Sequence, residues 1–266
     1  MNIHTLGTGH GNSTLSRFNS STLYETVDGR LYLIDAGAPA EALIRRKGFK
    51  LRNLRATFIT HMHDDHAGGL TGLMKQVIKY PDERQFPMTV YLPEEAAITP
   101  LKLWFSAVHE NADNPLLEYK TTDDGLVYED EYIRVCAIRT CHLRTRGRTE
   151  GDPCSFAYDL YFKKENLRVL HTGDLHGTYV DFPAVSAEEH FDICLTEATH
   201  FKPEVAMDTL MRAKFGRLIF VHIGDRWHTY VKERWIVENG EAALLNTFKC
   251  LPYPIAIAHD NDTFWF

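Results

Sequence analysis

Ala56-Thr57-Phe58-Ile59-Thr60-His61-Met62-His63-Asp64-Asp65-His66-Ala67-Gly68-Gly69 runs from an apolar stretch straight into three histidines and two aspartates within six positions. An apolar run with β-branched and aromatic members reads as a buried strand, and the glycines that follow read as a tight loop. Ending a strand in imidazoles and carboxylates is a poor way to build a core. It is a good way to hold a cation, because neutral imidazole nitrogens and carboxylate oxygens suit Zn²⁺ and related divalent ions. A single such His reads more simply as a solvated loop residue; this density does not.

Outward from this loop, the pattern predicts strands at about 2–6, 19–26 and 30–34, with Asp28-Gly29 as a tight hairpin turn between the last two. A helix is expected from about Pro39 to Lys47, and another from about Gly68 to Tyr80, whose positive N-terminal end would face the loop. Asp64 would cap that helix or orient a neighbouring imidazole. A strand near 88–92 leads into a helical stretch around 94–110. The second half repeats the theme with strands near 131–139, 155–162, 167–171, 191–196 and 217–221, and a helix near 203–214. Two short helical patterns around 228–248 precede an expected terminal hairpin, Pro254 to Phe266, turning at Asp260-Asn261-Asp262. Meander strands first and alternating strands and helices afterwards, in each half, imply two mixed sheets face to face with helices outside. With no repeat or low-complexity segment, residues 1–266 read as one domain.

The loop cannot complete a cage alone. His142 follows one predicted strand, Asp174 lies in His171-Thr172-Gly173-Asp174 after another, and His222 closes Arg217-Leu218-Ile219-Phe220-Val221. Side chains at neighbouring strand ends converge, so these positions complete the donor set. Cys141 and Cys154 flank His142 in sequence and read first as small buried thiols, with an outer role toward a metal as the alternative. Gly7-Thr8-Gly9-His10-Gly11-Asn12 is not a dinucleotide loop: Asn12 stands at the third glycine position and strand-like sequence follows. It reads as a glycine loop near the cage, with His10 within reach of substrate.

His61-x-His63-x-Asp65-His66 followed by His142, Asp174 and His222 resembles the metallo-β-lactamase superfamily in order and interval, over nearly the whole chain. Leu6-Gly7-Thr8-Gly9 and the block from Ser155 to Gly173 also resemble its phosphodiesterase and transfer-RNA-processing branches. The resemblance implies an α/β (α+β) fold, an αββα four-layer sandwich with two divalent ions at one edge, Zn²⁺ first and Mn²⁺ or Fe as alternatives. It assigns His61, His63 and His142 to one ion and Asp65, His66 and His222 to the other, with Asp174 bridging. Four positive charges less two aspartates leave a net charge near +2, attractive to an anionic substrate. Such paired ions, ~3.5–4 Å apart, activate water and stabilise charge on attacked and leaving oxygens.

Three features favour phosphate esters within this resemblance. Asp rather than Cys at position 174 is the pattern of the phosphodiesterase, lactonase and thioesterase branches. Thr196-Glu197-Ala198-Thr199-His200 resembles a stretch of the transfer-RNA-processing nucleases and small phosphodiesterases, so Glu197 or His200 is expected as a general acid or phosphate-orienting group; the plain alternative for His200 is a helix-entry residue before Pro203. Arg144, Arg146 and Arg148 follow His142 and would grip phosphate oxygens, unless they are simply solvated. A lactonase or thioesterase is the alternative, favoured if Trp104, Phe105 and Trp227 formed an apolar pocket instead of joining the core. A non-catalytic or iron-carrying redox member is the other.

Composition narrows the partners. The 266 residues carry a net charge of -7, without the basic field of a nucleic-acid binder, so a small anionic substrate is favoured over a long nucleic acid, with a nucleotide-derived one open. Five scattered cysteines, no apolar run of membrane-spanning length and no leader pattern in Met1–Thr5 imply a cytoplasmic protein. A homodimer stays open.

Overall fold

The computed structural model describes residues 1–12, 16–79, 86–143, 153–227 and 240–266. In the first half, β1 (Asn2–Gly7), β2 (Ser21–Glu25), β3 (Leu31–Ile34), β4 (Leu54–Phe58), β5 (Met88–Leu92) and β6 (Leu117–Thr121) alternate with α1 (Ala40–Arg46), α2 (Asp64–Ala67), α3 (Leu70–Lys79) and α4 (Ile98–Ala107). The second half holds β7 (Gly125–Glu129), β8 (Ile133–Arg139), β9 (Phe156–Phe162), β10 (Leu167–His171), β11 (Phe191–Ala198) and β12 (Phe215–Ile223), with α5 (Val185–Glu188), α6 (Pro203–Arg212) and α7 (Gly240–Phe248). Two short strands, β13 (Ile255–Ile257) and β14 (Asp262–Trp265), end the chain.

These strands form two seven-stranded sheets, ordered β14-β1-β2-β3-β4-β5-β6 and β13-β12-β11-β10-β9-β8-β7. Each is antiparallel at one end and parallel at the other, changing at β3 in the first and at β10 in the second. The period-2 alternation of a strand sorts its side chains between the layers. In β3, Tyr32 and Ile34 enter the core between the sheets, whereas Leu31 and Leu33 meet α1 and α3 outside. In β12, Ile219 and Val221 face inward, and Leu218 and Phe220 face α6 and α7. The result is the αββα sandwich that the sequence implies.

Three expectations are corrected. The terminal segment is not a hairpin: β13 pairs in parallel with β12 in one sheet, and β14 pairs antiparallel with β1 in the other. The helix expected from Gly68 opens earlier, at Asp64, and is broken around Gly68 before α3 begins at Leu70. At the break the Gly69 N–H donates to the Ala36 carbonyl at 2.8 Å instead of to a carbonyl of α2, and a Cβ on Gly69 would lie 2.7 Å from that oxygen. β6 and β7, edge strands of their sheets, were not read from the sequence at all. Of the helical patterns around 228–248, α7 is present, and residues 228–239 lie outside the described residues. No helix among the described residues is long and apolar enough to cross a membrane.

Candidate metal centre

Strand ends from both sheets bring the predicted donors together at one edge. His61 follows β4, Asp65 and His66 lie in α2, His142 follows β8, Asp174 follows β10 and His222 lies near the end of β12. Three groups have their donor atoms within 4.8 Å of one another: His61, His63, His142 and Asp174 in the first, Asp65, His66 and His222 in the second, and Asp174, Glu197, His200 and His222 in the third. In the first, His61 Nε2 and His142 Nε2 lie 2.9 and 3.4 Å from His63 Nδ1. In the second, Asp65 Oδ2 lies 3.1 Å from His222 Nε2 and 3.4 Å from His66 Nε2.

Asp174 stands between the first two groups and divides its oxygens between them. Its Oδ2 is 3.7 Å from His61 Nε2 and 3.6 Å from His142 Nε2. Its Oδ1 is 3.4 Å from His66 Nε2 and 3.5 Å from His222 Nε2. His66 Nε2 and Asp174 Oδ1 are both buried without a hydrogen-bond partner among the described residues, although they face each other. Leaving such groups unpaired is costly, and a cation between the two donors would satisfy both. The residues present therefore fit two divalent ions.

The outer contacts set which ring nitrogen faces inward. Asp35, at the end of β3, accepts from Thr60 N–H at 2.8 Å and from the Thr60 hydroxyl at 3.0 Å, and its Oδ2 lies 2.7 Å from His66 Nδ1. A carboxylate there keeps a proton on Nδ1 and leaves Nε2 as the inward donor. The Thr60 hydroxyl, having given its proton to Asp35, accepts from His61 Nδ1 at 3.1 Å, so His61 Nε2 also faces in as a lone pair. Thr199 repeats the device: its hydroxyl donates to the His222 carbonyl and lies 3.0 Å from His222 Nδ1. His142 Nδ1 lies 3.3 Å from the Leu175 carbonyl. Sequence reasoning missed Asp35 and Thr199. The signal for Asp35 was the same strand-end position that exposed Asp174, before Ala36-Gly37 instead of after a glycine.

Electrostatics follow the burial. Burial pushes the His61 pKa well below the usual imidazole range and lowers that of His142, so both are neutral donors. Burial alone would raise the Asp174 pKa; the surrounding His222, His66 and His61 rings reverse that and hold it well below the usual carboxylate range. Asp65 is likewise lowered, by His222 and His66 against burial.

The Glu197–His200 pair lies beside this cage. Glu197 is buried and accepts from Leu175 N–H at 2.6 Å and His200 N–H at 2.9 Å, while His200 Nδ1 lies 2.7 Å from its Oε2. The His200 side chain is 31% exposed and its Nδ1 lies 3.7 Å from Asp174 Oδ2. Burial opposes its protonation, but the hydrogen bond and charge of Glu197, with Asp174 beyond, raise its pKa to about 9. Glu197 thus holds the partly exposed ring through Nδ1, which leaves Nε2 as its second hydrogen-bonding atom.

The other predicted positions are placed as follows. His10 is buried on the far flank, 3.2 Å from Asp225 Oδ1 and with its ring 6.4 Å from that of His222. Asp64 is exposed in the first turn of α2, and the residue capping that helix is His63, without a side-chain cap bond. Cys141 and Cys154 are only half-buried, and Cys154 Sγ takes a hydrogen bond from Arg139. The aromatic trio makes no pocket: Phe105 is core, Trp227 packs against the core under α6 and α7, and Trp104 is exposed. Arg144, Arg146 and Arg148 lie outside the described residues.

The family model for the Anti-Pycsar protein Apyc1 matches residues 1–206. The chain belongs to that family. Its relatives include the ribonuclease Z of Limosilactobacillus fermentum, 29% identical over 183 residues that make up 66% of this chain and 57% of that protein. The chain thus spans little more than half the length of that relative. Among solved structures, the short form of human tRNase Z superposes with a TM-score of 0.71 at 18% identity, covering 100% of this chain and 99% of that one. The metallo-beta-lactamase fold protein YhfI of Bacillus subtilis gives 0.71 at 15% identity, covering 99% and 98%. At these identities the likeness is one of fold. The Apyc1 family member described here has the fold of these metallo-beta-lactamase fold proteins, as the ligand loop implied.

Proposed function

We propose that the protein is a metal-dependent phosphodiesterase acting on a small or modest phosphodiester. The observation that carries this reading is the division of Asp174 between two complete donor sets, with the Glu197–His200 pair beside it. His61, His63 and His142 would hold one ion, Asp65, His66 and His222 the other, and Asp174 both; Zn²⁺ suits these donors, as do Mn²⁺ and Fe. When bound, such a pair supplies Lewis-acid stabilisation of phosphoryl oxygens and a water acidic enough to attack at neutral pH.

The chain's own residues account for the rest. His200 donates from Nε2 to a phosphoryl or departing alkoxide oxygen, and Glu197 orients it from behind. His10, tied to Asp225, lines the flank beside His222 and borders the substrate. The net charge of -7 favours a compact diester, cyclic or oligonucleotide-derived, over a long RNA held by a basic surface. The relatives named ribonuclease Z make RNA the competing substrate. The lactone and thioester reading loses its support with the aromatic trio divided among two core clusters and the surface.

Metal-replete protein is expected to hydrolyse bis(p-nitrophenyl) phosphate with about two ions bound per chain. His200→Ala should lower kcat by ~10²–10⁴ with metal content unchanged. Lactone or thioester turnover without phosphodiester turnover would overturn the reaction class. Cleavage of structured RNA in strong preference to small diesters would overturn the substrate size.

A further inference from the structure

His142 and Asp174 must sit at a fixed separation for the first donor set to exist, yet they follow β8 and β10, between which β9 intervenes. Two strand spacings are ~9–10 Å, too far for the two chain segments to share a backbone hydrogen bond at that point. Besides His142 itself, whose Nδ1 lies 3.3 Å from the Leu175 carbonyl, one carboxylate spans the gap. Asp181 Oδ2 accepts from the backbone N–H of Cys141 at 2.7 Å, one residue before His142, and from that of His176 at 3.0 Å, two residues after Asp174. Its Oδ1 also lies 3.0 Å from His176 N.

The loop is shaped to deliver this carboxylate. Tyr179 adopts a positive φ of 61°, its N–H bonds the His176 carbonyl at 2.7 Å, and its buried ring packs on Phe182 and Phe201 at 4.9 and 4.4 Å. The chain therefore doubles back, and Asp181 returns to the base of the loop it belongs to. A charged acceptor on backbone N–H groups is among the stronger hydrogen-bonding arrangements.

We propose that Asp181 is a positioning residue for the first metal site, clamping the His142 turn to the segment after Asp174. On the second donor set, Asp65 and His66 share one short helix. The inference rests on the assignment of His61, His63, His142 and Asp174 to one ion.

The test uses the full chain loaded with Zn²⁺ and titrated with a competing chelator, and the Co²⁺-substituted protein followed by its visible absorption. Asp181→Ala should release one ion at a chelator concentration ~10–100-fold below that needed for the wild type and keep the other. Asp181→Asn, whose amide oxygen can take the place of Oδ2, should fall between the two. The metal-free thermal midpoint of the Asn variant should match the wild type. Unchanged retention of both ions in Asp181→Ala, or equal weakening of both with a lowered metal-free midpoint in both variants, overturns the clamp. A wild type that itself fails to hold two ions overturns the site assignment instead.

Discussion

Two hydroxyl protons, on Thr60 and Thr199, help decide which nitrogens of His61 and His222 face the cage. Each threonine gives its one proton to an oxygen and must then accept from an imidazole. His171 shows the opposite case, a histidine near the cage that no donor set recruits. It is buried, with Nδ1 2.9 Å from the Tyr24 hydroxyl. Burial, opposed by Asp35 and Asp174 and helped by His66, pushes its pKa from 6.5 down to about 4. The unfolded chain therefore binds this proton first as pH falls. Its stability contribution is full above pH 6.5 and is lost on the way down to about 4, by up to ~3 kcal/mol. Urea unfolding of the metal-free protein across that window should show a steeper loss for the wild type than for His171→Gln. Equal slopes would show that the proton uptake lies elsewhere.

At the scale of elements, the connection from β13 to β14 carries the chain from one sheet to the other, and Asp260 anchors it. Its Oδ1 accepts from Thr8 N–H at 2.8 Å and from the Thr8 hydroxyl at 2.7 Å, and its Oδ2 accepts from Phe18 N–H. Asp260→Ala leaves the buried Thr8 N–H without its acceptor and should cost ~1–3 kcal/mol in urea unfolding. A change under a few tenths of a kcal/mol would mean that water replaces the carboxylate. This crossing also shows what the sequence conceals. Asp260-Asn261-Asp262 has real turn chemistry, with Asn261 at a φ of 69°, but turn chemistry says nothing about which distant strand pairs with each arm. β6 and β7 escaped notice because edge strands carry charged and half-exposed residues that blur the alternation. The ligand loop was legible because its donors are adjacent in sequence, and His142, Asp174 and His222 because each ends a clear apolar run. Asp35 and Asp181 were not, since a lone carboxylate in a loop looks the same whether it holds a backbone, a histidine or only water.

For the whole molecule, each donor set draws on both halves of the chain. His61, His63, Asp65 and His66 come from the first sheet's connections, and His142, Asp174 and His222 from the second's. Ions that bind only the folded chain raise stability by ~2.7 kcal/mol each when free metal exceeds Kd a hundredfold. For a chain of this length that is a rise in Tm of ~5–10 °C per ion, reversed by chelator. A Tm indifferent to metal would show that the cage does not hold ions tightly enough to matter.

The two sheets change from antiparallel to parallel at β3 and at β10, and Asp35 and Asp174 lie in the turns that follow those strands, one and three residues after them. The halves are thus two renderings of one plan, with an acidic residue at the same station in each. In one rendering that acid has withdrawn to brace a histidine, and in the other it has advanced to the centre. Because the pair is not equivalent, the site is asymmetric: the His200 ring stands 4.6 Å from that of His142 and 5.5 Å from that of His222, and His10, paired with Asp225, stands 6.4 Å from His222. If the proposed diester has two different alcohol arms, its two orientations in the site are not equivalent, and the ratio of the two possible products would report on how the substrate enters.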